Sequence, residues 1–324
     1  MTPMALDTAL SSSTSPLADQ GALRLTDWGL IRAHGADAAN FLQGQLTSDA
    51  AGLAPGQAAL AGYCSAKGRL LASFVAWRCA EDEFLLACTA ELLPATLKRL
   101  SMFVLRAKCK LSDASAELAL WGLAGGEAAQ WLGTRDPKVP WSVHAPGTVE
   151  QVLRLPDVNG TPRWLLTQPA GAAAPALPAL EASAWRALEV ASGIVRIVGA
   201  TVDKFVPQMV NFELVGGVNF KKGCYPGQEV VARSQYRGTL KRRTVLLASP
   251  VAISEGQEVF HDADPGQPGG LVALAAPAAN GEHIALVEVK RALAEGPGAF
   301  HLGAADGPAL QPRALPYAIP SDAD

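Results

Sequence analysis

Apolar positions along this chain recur with two periods, and the alternation between them marks out its elements. Ala38, Phe41, Leu42 and Leu46 follow helical spacing after Ala36, with Asp37 in the first turn, so an amphipathic helix is expected there, ending near the polar segment Thr47 to Asp49. Short strand-like pieces precede it between Leu23 and Arg32. Leu70 to Cys79 and Phe84 to Thr89 are β-rich runs separated by the acidic turn AEDE, which predicts a hairpin. A helix is expected over 90–100 and a further strand near 116–123. Asn159-Gly160 is a strong turn dipeptide between two apolar runs and predicts a second hairpin. The Ala/Pro-rich stretch QPAGAAAPALPALEAS reads either as a loop leading into a helix or as a linker. Ser183 has the side chain to cap the helix AWRALEVAS, and Gly193 is placed to end it in a left-handed conformation.

After Leu240 the texture changes. The runs TVLLAS, EVF, GLVALAA, HIALVEV and AFHLG alternate with Gly, Pro and Asn, the pattern of a small antiparallel barrel or sandwich. The chain is therefore read as a tail over 1–20, a larger module over 21–239 and a final β domain over 240–324.

Composition narrows the function classes. With 324 residues, 49% hydrophobic and 18% charged, disorder, collagen-like repeats and a small disulfide scaffold are excluded, and the length suits two or three domains. A net charge of −3 gives no global attraction to nucleic acid or to an anionic membrane, and no run approaches the roughly 18 apolar residues of a membrane span. Five cysteines without a CxxC pair argue against a secreted disulfide framework and against a zinc knuckle, so a reducing cytoplasm is expected. The five histidines stand apart, and no metal site is expected. Phosphate-loop, nucleophile-elbow and HExxH motifs are missing, which weighs against nucleotide-driven enzymes and common hydrolases.

Candidate chemistry concentrates between Pro207 and Arg243. Residues 221–243 carry Lys221, Lys222, Arg233, Arg237, Lys241, Arg242 and Arg243 against Glu229 alone, a local charge of +6. Such segregation suits a polyanion, whether a carboxylate-bearing cofactor, a phosphate backbone or an acidic partner. Gly223 and Gly227 flank Cys-Tyr-Pro, and QEVVARSQY follows as a short helix with Pro226 and Gly227 at its entry. Cys224 then precedes a helix N-terminus and neighbours Lys222, two features that favour thiolate. Lowering a thiol pKa from about 8.5 to about 7 takes roughly 2 kcal/mol, and a helix terminus supplies about 0.3–1, so Lys222 is expected to supply much of the rest. In GYCSAKGRL, Lys67 and Arg69 between Gly62 and Leu70 form a second, weaker candidate, a cationic loop at a pocket mouth.

These landmarks together resemble the YgfZ-type family of folate-binding proteins, relatives of the glycine-cleavage T-protein that assist iron-sulfur enzymes and tRNA modification. KGCYPGQEVVAR at Lys222 to Arg233 is the long and specific motif; FLQGQLTSD at Phe41 to Asp49, YCSAKGR at Tyr63 to Arg69 and FVPQMVN at Phe205 to Asn211 reinforce it in family order. The resemblance implies an α+β fold of two interwoven subdomains with antiparallel sheets around a central folate-sized hole, followed by a small β-barrel. It implies Cys224 as the key thiol, acting with Lys222, and Gly223, Tyr225, Gly227, Gln228, Glu229 and Arg233 as the surrounding signature. The cofactor implied is tetrahydrofolate or a one-carbon derivative, its carboxylates met by cations such as Lys67, Arg69 and Arg233. Implied partners are iron-sulfur enzymes or cluster-assembly proteins, with weak contact to tRNA and none with membrane.

Two positions depart from the T-protein pattern. Ala72 and Ser73 stand where an aspartate pair positions folate for aminomethyl transfer, which argues against that transfer. Ala191 stands where related sequences carry a pterin-reading glutamate, and Glu189, two positions away, is expected on a different helical face. The leading reading is a folate-binding accessory factor for iron-sulfur cluster assembly or repair rather than a stand-alone catalyst. Its rivals are a folate-dependent one-carbon transferase and a tRNA-binding protein.

Overall fold

A computed structural model describes residues 20–236 and 240–320. The tail expected over 1–20 lies, apart from Gln20, outside the described residues, as does Arg237.

The first part of the chain builds β1 (Gly21–Arg24), β2 (Trp28–His34), α1 (Ala38–Gln43), β3 (Ala58–Cys64), β4 (Leu70–Ala80), β5 (Glu83–Thr89), α2 (Leu93–Ser101), β6 (Lys110–Asp113), β7 (Leu118–Ala124) and α3 (Gly125–Leu132). It continues through β8 (Val143–His144), β9 (Gln151–Val158), β10 (Thr161–Pro169), α4 (Ala182–Ala191) and α5 (Gln228–Tyr236). One antiparallel sheet has the order β3-β4-β5-β2-β6, and the other β1-β7-β10-β9-β8. The first strand therefore belongs to the second sheet: β1 pairs with β7 in the register Leu23↔Gly122, while β2 crosses to pair with β5. This exchange interweaves the two subdomains, as the resemblance implied.

Both hairpins form where turn chemistry placed them. Asn159 and Gly160 take φ of 49° and 80°, the left-handed pair that joins β9 to β10. Along β4, Val75, Trp77 and Cys79 enter the core shared by the two sheets, whereas Phe74 and Ala76 enter the one under α1 and α2. That period of two explains why the strand is apolar throughout: both of its faces are covered. The strand β3 and helix α3 went unseen in the sequence. Glu181, not Ser183, occupies the cap position of α4, which begins at Ala182, so Ser183 lies inside the helix. Gly193 ends it at φ 70°, as expected.

The chain ends in a closed barrel of β11 (Arg242–Ser249), β12 (Glu258–His261), β13 (Gly270–Pro277), β14 (His283–Lys290), β15 (Phe300–Leu302) and β16 (Ala309–Arg313). Val259, Val272, Ala285, Val287 and Phe300 fill it. Helix α4 lies against β13 and β14, where Arg186 donates to the Ala275 carbonyl (3.3 Å) and pairs with Glu255 (2.7 Å). No helix among the described residues is long and apolar enough to cross a membrane.

Candidate functional site

Four segments far apart in sequence meet around the KGCYPGQE loop. Thr47, fully buried, donates its hydroxyl to the Gly217 carbonyl (2.5 Å) and accepts from the Gly62 amide (2.7 Å), while its own carbonyl accepts from Asn219 (2.9 Å). The 65–69 turn is closed by bonds from Ser65 N to Arg69 O and from Gly68 N to Ser65 O, both 2.8 Å. Beyond it, the Leu70 amide donates to the Phe205 carbonyl (2.8 Å), which brings in the FVPQMVN segment. Gln208, with no exposed surface, donates to the Val231 carbonyl (2.8 Å) and ties that segment to α5. The two glycine turns touch directly: Gly68 and Gly227 have φ of 72° and 78°, and a Cβ on Gly227 would lie 2.6 Å from Gly68 Cα.

Lys222 is placed differently from the sequence expectation. Its Nζ donates to the carbonyls of Gln43 (2.5 Å), Leu46 (2.5 Å) and Ser48 (2.9 Å). An ammonium has three hydrogens, so its donor capacity is spent on the C-terminal end of α1 and the turn after it. Those carbonyls carry the negative end of the helix dipole and suit a cation. The Nζ also lies 5.2 Å from the centre of the Tyr225 ring. Burial pulls the Lys222 pKa down to about 8, against the opposing influence of Asp49. Lys222 therefore clamps the signature loop to α1, with its three hydrogen bonds made to these carbonyls.

Cys224 is exposed, four residues ahead of α5. The other thiols are not comparable: burial pushes Cys64, Cys79 and Cys88 up to about 12, and raises Cys109 as well. The other nominated residues surround Cys224 with varied roles. Tyr225 is buried, Gly223 stands in open space, Gln228 opens α5, and Lys67 is exposed. Arg69 donates to the Lys204 carbonyl, and Arg233 pairs with Glu229 on the solvent side of α5 (2.8 Å).

The +6 segment does not form one basic face. Arg242 pairs with Glu288 of the barrel, Arg243 pairs with Glu213 in the interior, and Lys222 is clamped as described. Lys221 and Lys241 remain exposed. Partners outside the segment, Glu213 and Glu288, neutralise what a count along the sequence left positive.

A separate cleft is lined by both sheets, α4 and the 192–196 segment. None of the residues nominated around Cys224 lines it. Its walls include Trp28, Ser73, Trp141, Arg163, Trp185, Glu189 and Arg196. Glu189 lines this cleft while Ala191 does not, so the two sit on different faces of the helix; Arg196 holds both Glu189 oxygens (3.1 and 3.2 Å) and Arg186 adds a third contact at 3.4 Å. Ala191 is only partly buried, packed against the main core. The Arg196 guanidinium also lies 4.6 Å from the Trp28 ring centre and bonds Asp27 (2.7 Å). Arg163, 3% exposed, makes no ion pair among the described residues; burial pulls its pKa down to about 10, so it stays cationic at neutral pH. The buried indole N–H groups of Trp28 and Trp185 find no acceptor within the described protein. Flat aromatic walls with spare donors suit a planar group rich in acceptors. Trp28, Arg163 and Arg196 were missed in the sequence; the available signal was an arginine set among apolar residues, as in SGIVRIV and PRWLL.

Two antiparallel sheets sharing a cleft, with a closed barrel against α4, define an aminomethyltransferase-like fold. The glycine cleavage system aminomethyltransferase T from Bartonella henselae has this architecture, with a TM-score of 0.77 at 20% identity over 92% of this chain and 86% of that one. The GCVT N-terminal domain family matches residues 20–149. A protein of Photorhabdus laumondii described as tRNA-modifying protein YgfZ is 32% identical over 327 residues, covering 98% of each chain, and one of Edwardsiella ictaluri with the same description is 37% identical over 232 residues, covering 68% of each. The chain belongs to the YgfZ family.

Proposed function

We propose that this protein binds a reduced folate in the cleft between its sheets and presents Cys224 to maintain or repair iron-sulfur clusters, thereby supporting tRNA-modifying enzymes. The observation that carries the folate half is that Trp28 and Trp185, whose buried indole donors have no partner among the described residues, line the cleft together with cationic Arg163. A pterin offers a flat ring with ring-nitrogen and carbonyl acceptors to such donors, while Arg163 supplies positive charge in the wall. Folate bound there would bring one-carbon chemistry. The chain's own contribution is to hold the ring between aromatic walls and exclude water from it.

Aminomethyl transfer is disfavoured. Ser73 lines the cleft but its hydroxyl accepts from the Ile197 amide (2.9 Å), and the carboxylate of Glu189 is engaged by two arginines. Neither is a free base. Direct tRNA binding through residues 221–243 is disfavoured too, because Lys222, Arg233, Arg242 and Arg243 are engaged within the fold. The thiol half rests on Cys224 being the exposed cysteine, accessible for thiol–disulfide exchange or for ligating iron.

Titration with tetrahydrofolate should quench tryptophan fluorescence, since Trp28, Trp141 and Trp185 line the cleft. Trp185→Phe, which removes one donor worth about 1 kcal/mol, should weaken binding roughly fivefold. Saturating folate without quenching or heat of binding would remove this half of the reading. In cells lacking the native protein, Cys224→Ser should fail to restore the activity of iron-sulfur enzymes; full restoration would remove the thiol's role and leave the folate site standing.

A further inference from the structure

The turn after α2 breaks the rule that buries large apolar side chains. Met102 is 58% exposed, Phe103 43% and Leu105 86%, all within four residues. The turn is nevertheless firmly held. Val104 packs into the core beneath α1 and α2, and backbone bonds run from Phe103 N to Leu100 O (3.0 Å) and from Ala107 N to Val104 O (2.8 Å). Leu105 takes φ 43°, a left-handed conformation that leucine rarely adopts, so a conformationally costly position presents the most exposed apolar group.

Charge surrounds this projection. Lys98, Arg99, Arg106, Lys108 and Lys110 are exposed, residues 98–110 contain no acid, and none of the five cations makes a salt bridge among the described residues. Asp37 meets the turn through the Lys108 backbone amide (2.7 Å). Arg99 reaches the Tyr63 hydroxyl, and a local charge of +5 in a chain of net −3 is thus left without an acidic partner beside an apolar knob.

We infer that the 101–108 turn is a docking surface for a partner protein that offers an apolar pocket rimmed by carboxylates. Charge complementarity selects an acidic partner, and steering by the five cations would speed its approach. A second copy of this chain would set +5 against +5 across a twofold interface. Nucleic acid would find only Phe103 to stack on, since Met102 and Leu105 have no π face. A rigid, preorganised knob suits a shaped pocket better than a fluid bilayer. The turn lies against the start of α1, and the carbonyls that hold Lys222 lie at that helix's other end. Six residues at about 1.5 Å each separate the two ends by roughly 9 Å. The inference does not depend on what the cleft binds.

The test begins with a photo-crosslinking amino acid at position 103 of the full chain in cells, followed by titration of the purified crosslinked protein against wild type, Leu105→Asp and Arg106→Glu/Lys108→Glu. The expected result is an acidic protein whose binding weakens at least tenfold with Leu105→Asp, and whose association slows with the charge reversal and with added salt. Unchanged urea midpoints would show both variants folded, as their exposed positions require. Crosslinks only to RNA or to a second copy, no crosslink, equal binding by all three proteins, or binding to phosphatidylserine vesicles that Leu105→Asp abolishes would each overturn the inference.

Discussion

Gly227→Ala is expected to cost about 3 kcal/mol or more of stability. The residue sits at φ 78°, where an L side chain already costs about 1–2 kcal/mol, and its new methyl group would strike the Ser65 carbonyl oxygen and approach Gly68 Cα to 2.6 Å. Both obstacles are backbone, so relief requires moving the 65–69 turn away from α5. Gly223→Ala, four residues earlier in the same motif, meets nothing within 4 Å and should change stability by less than about 0.5 kcal/mol. Urea denaturation of the pair measures the difference. Equal midpoints would show that the two motifs do not touch as described.

Arg243→Met should be comparably damaging, by about 3–5 kcal/mol at neutral pH, because it leaves the Glu213 carboxylate buried without its cation. Arg243 also donates to the Gln208 carbonyl (3.1 Å), so the pair joins the barrel's first strand to the segment that supports α5. Burial already holds the Glu213 pKa above its ordinary value of about 4.5, despite the neighbouring Arg243 charge. Without that charge it rises further. Above pH 4.5 the unfolded chain ionises Glu213 while the folded variant retains its proton, so the variant's deficit against wild type grows as pH rises and then levels once the folded carboxyl also ionises. The electrostatic part should vanish below about pH 4.5, and Arg243→Met/Glu213→Gln should recover much of the loss. Urea midpoints across pH 4.5–8 check both points; a pH-independent deficit would show that packing alone had been lost.

Much of the architecture was legible because local chemistry decided it. Asn159-Gly160 can hardly be other than a tight hairpin, Gly193 ends α4, and the punctuated runs after residue 240 close into a barrel. What stayed hidden depended on directions that no side-chain pattern encodes. Lys222 reaches backbone carbonyls, which every residue carries, so nothing in the sequence distinguishes Gln43, Leu46 and Ser48 as its acceptors. Which face of α4 meets the cleft was hidden because the helix lies between cleft and barrel and buries residues toward both. The lining of the cleft escaped notice because Trp28, Arg163, Trp185 and Arg196 come from separate segments, each unremarkable alone. Strand β3 was hidden by its small residues, Ala58, Ala59, Ala61 and Gly62, which carry little strand propensity of their own.

The crossing of β1 into the sheet of β7 and β10 bears on how the protein is made. Strand β1 must wait for β7, which ends at Ala124, to find its partner, and the start of β4 is completed only when Asp203 and Phe205 bond to Leu70. At roughly 5–20 residues per second, the roughly 135 residues from Leu70 to Phe205 leave an open apolar sheet edge exposed for about 7–27 s during translation. Nascent chains of this protein should therefore depend on chaperones until Phe205 has emerged.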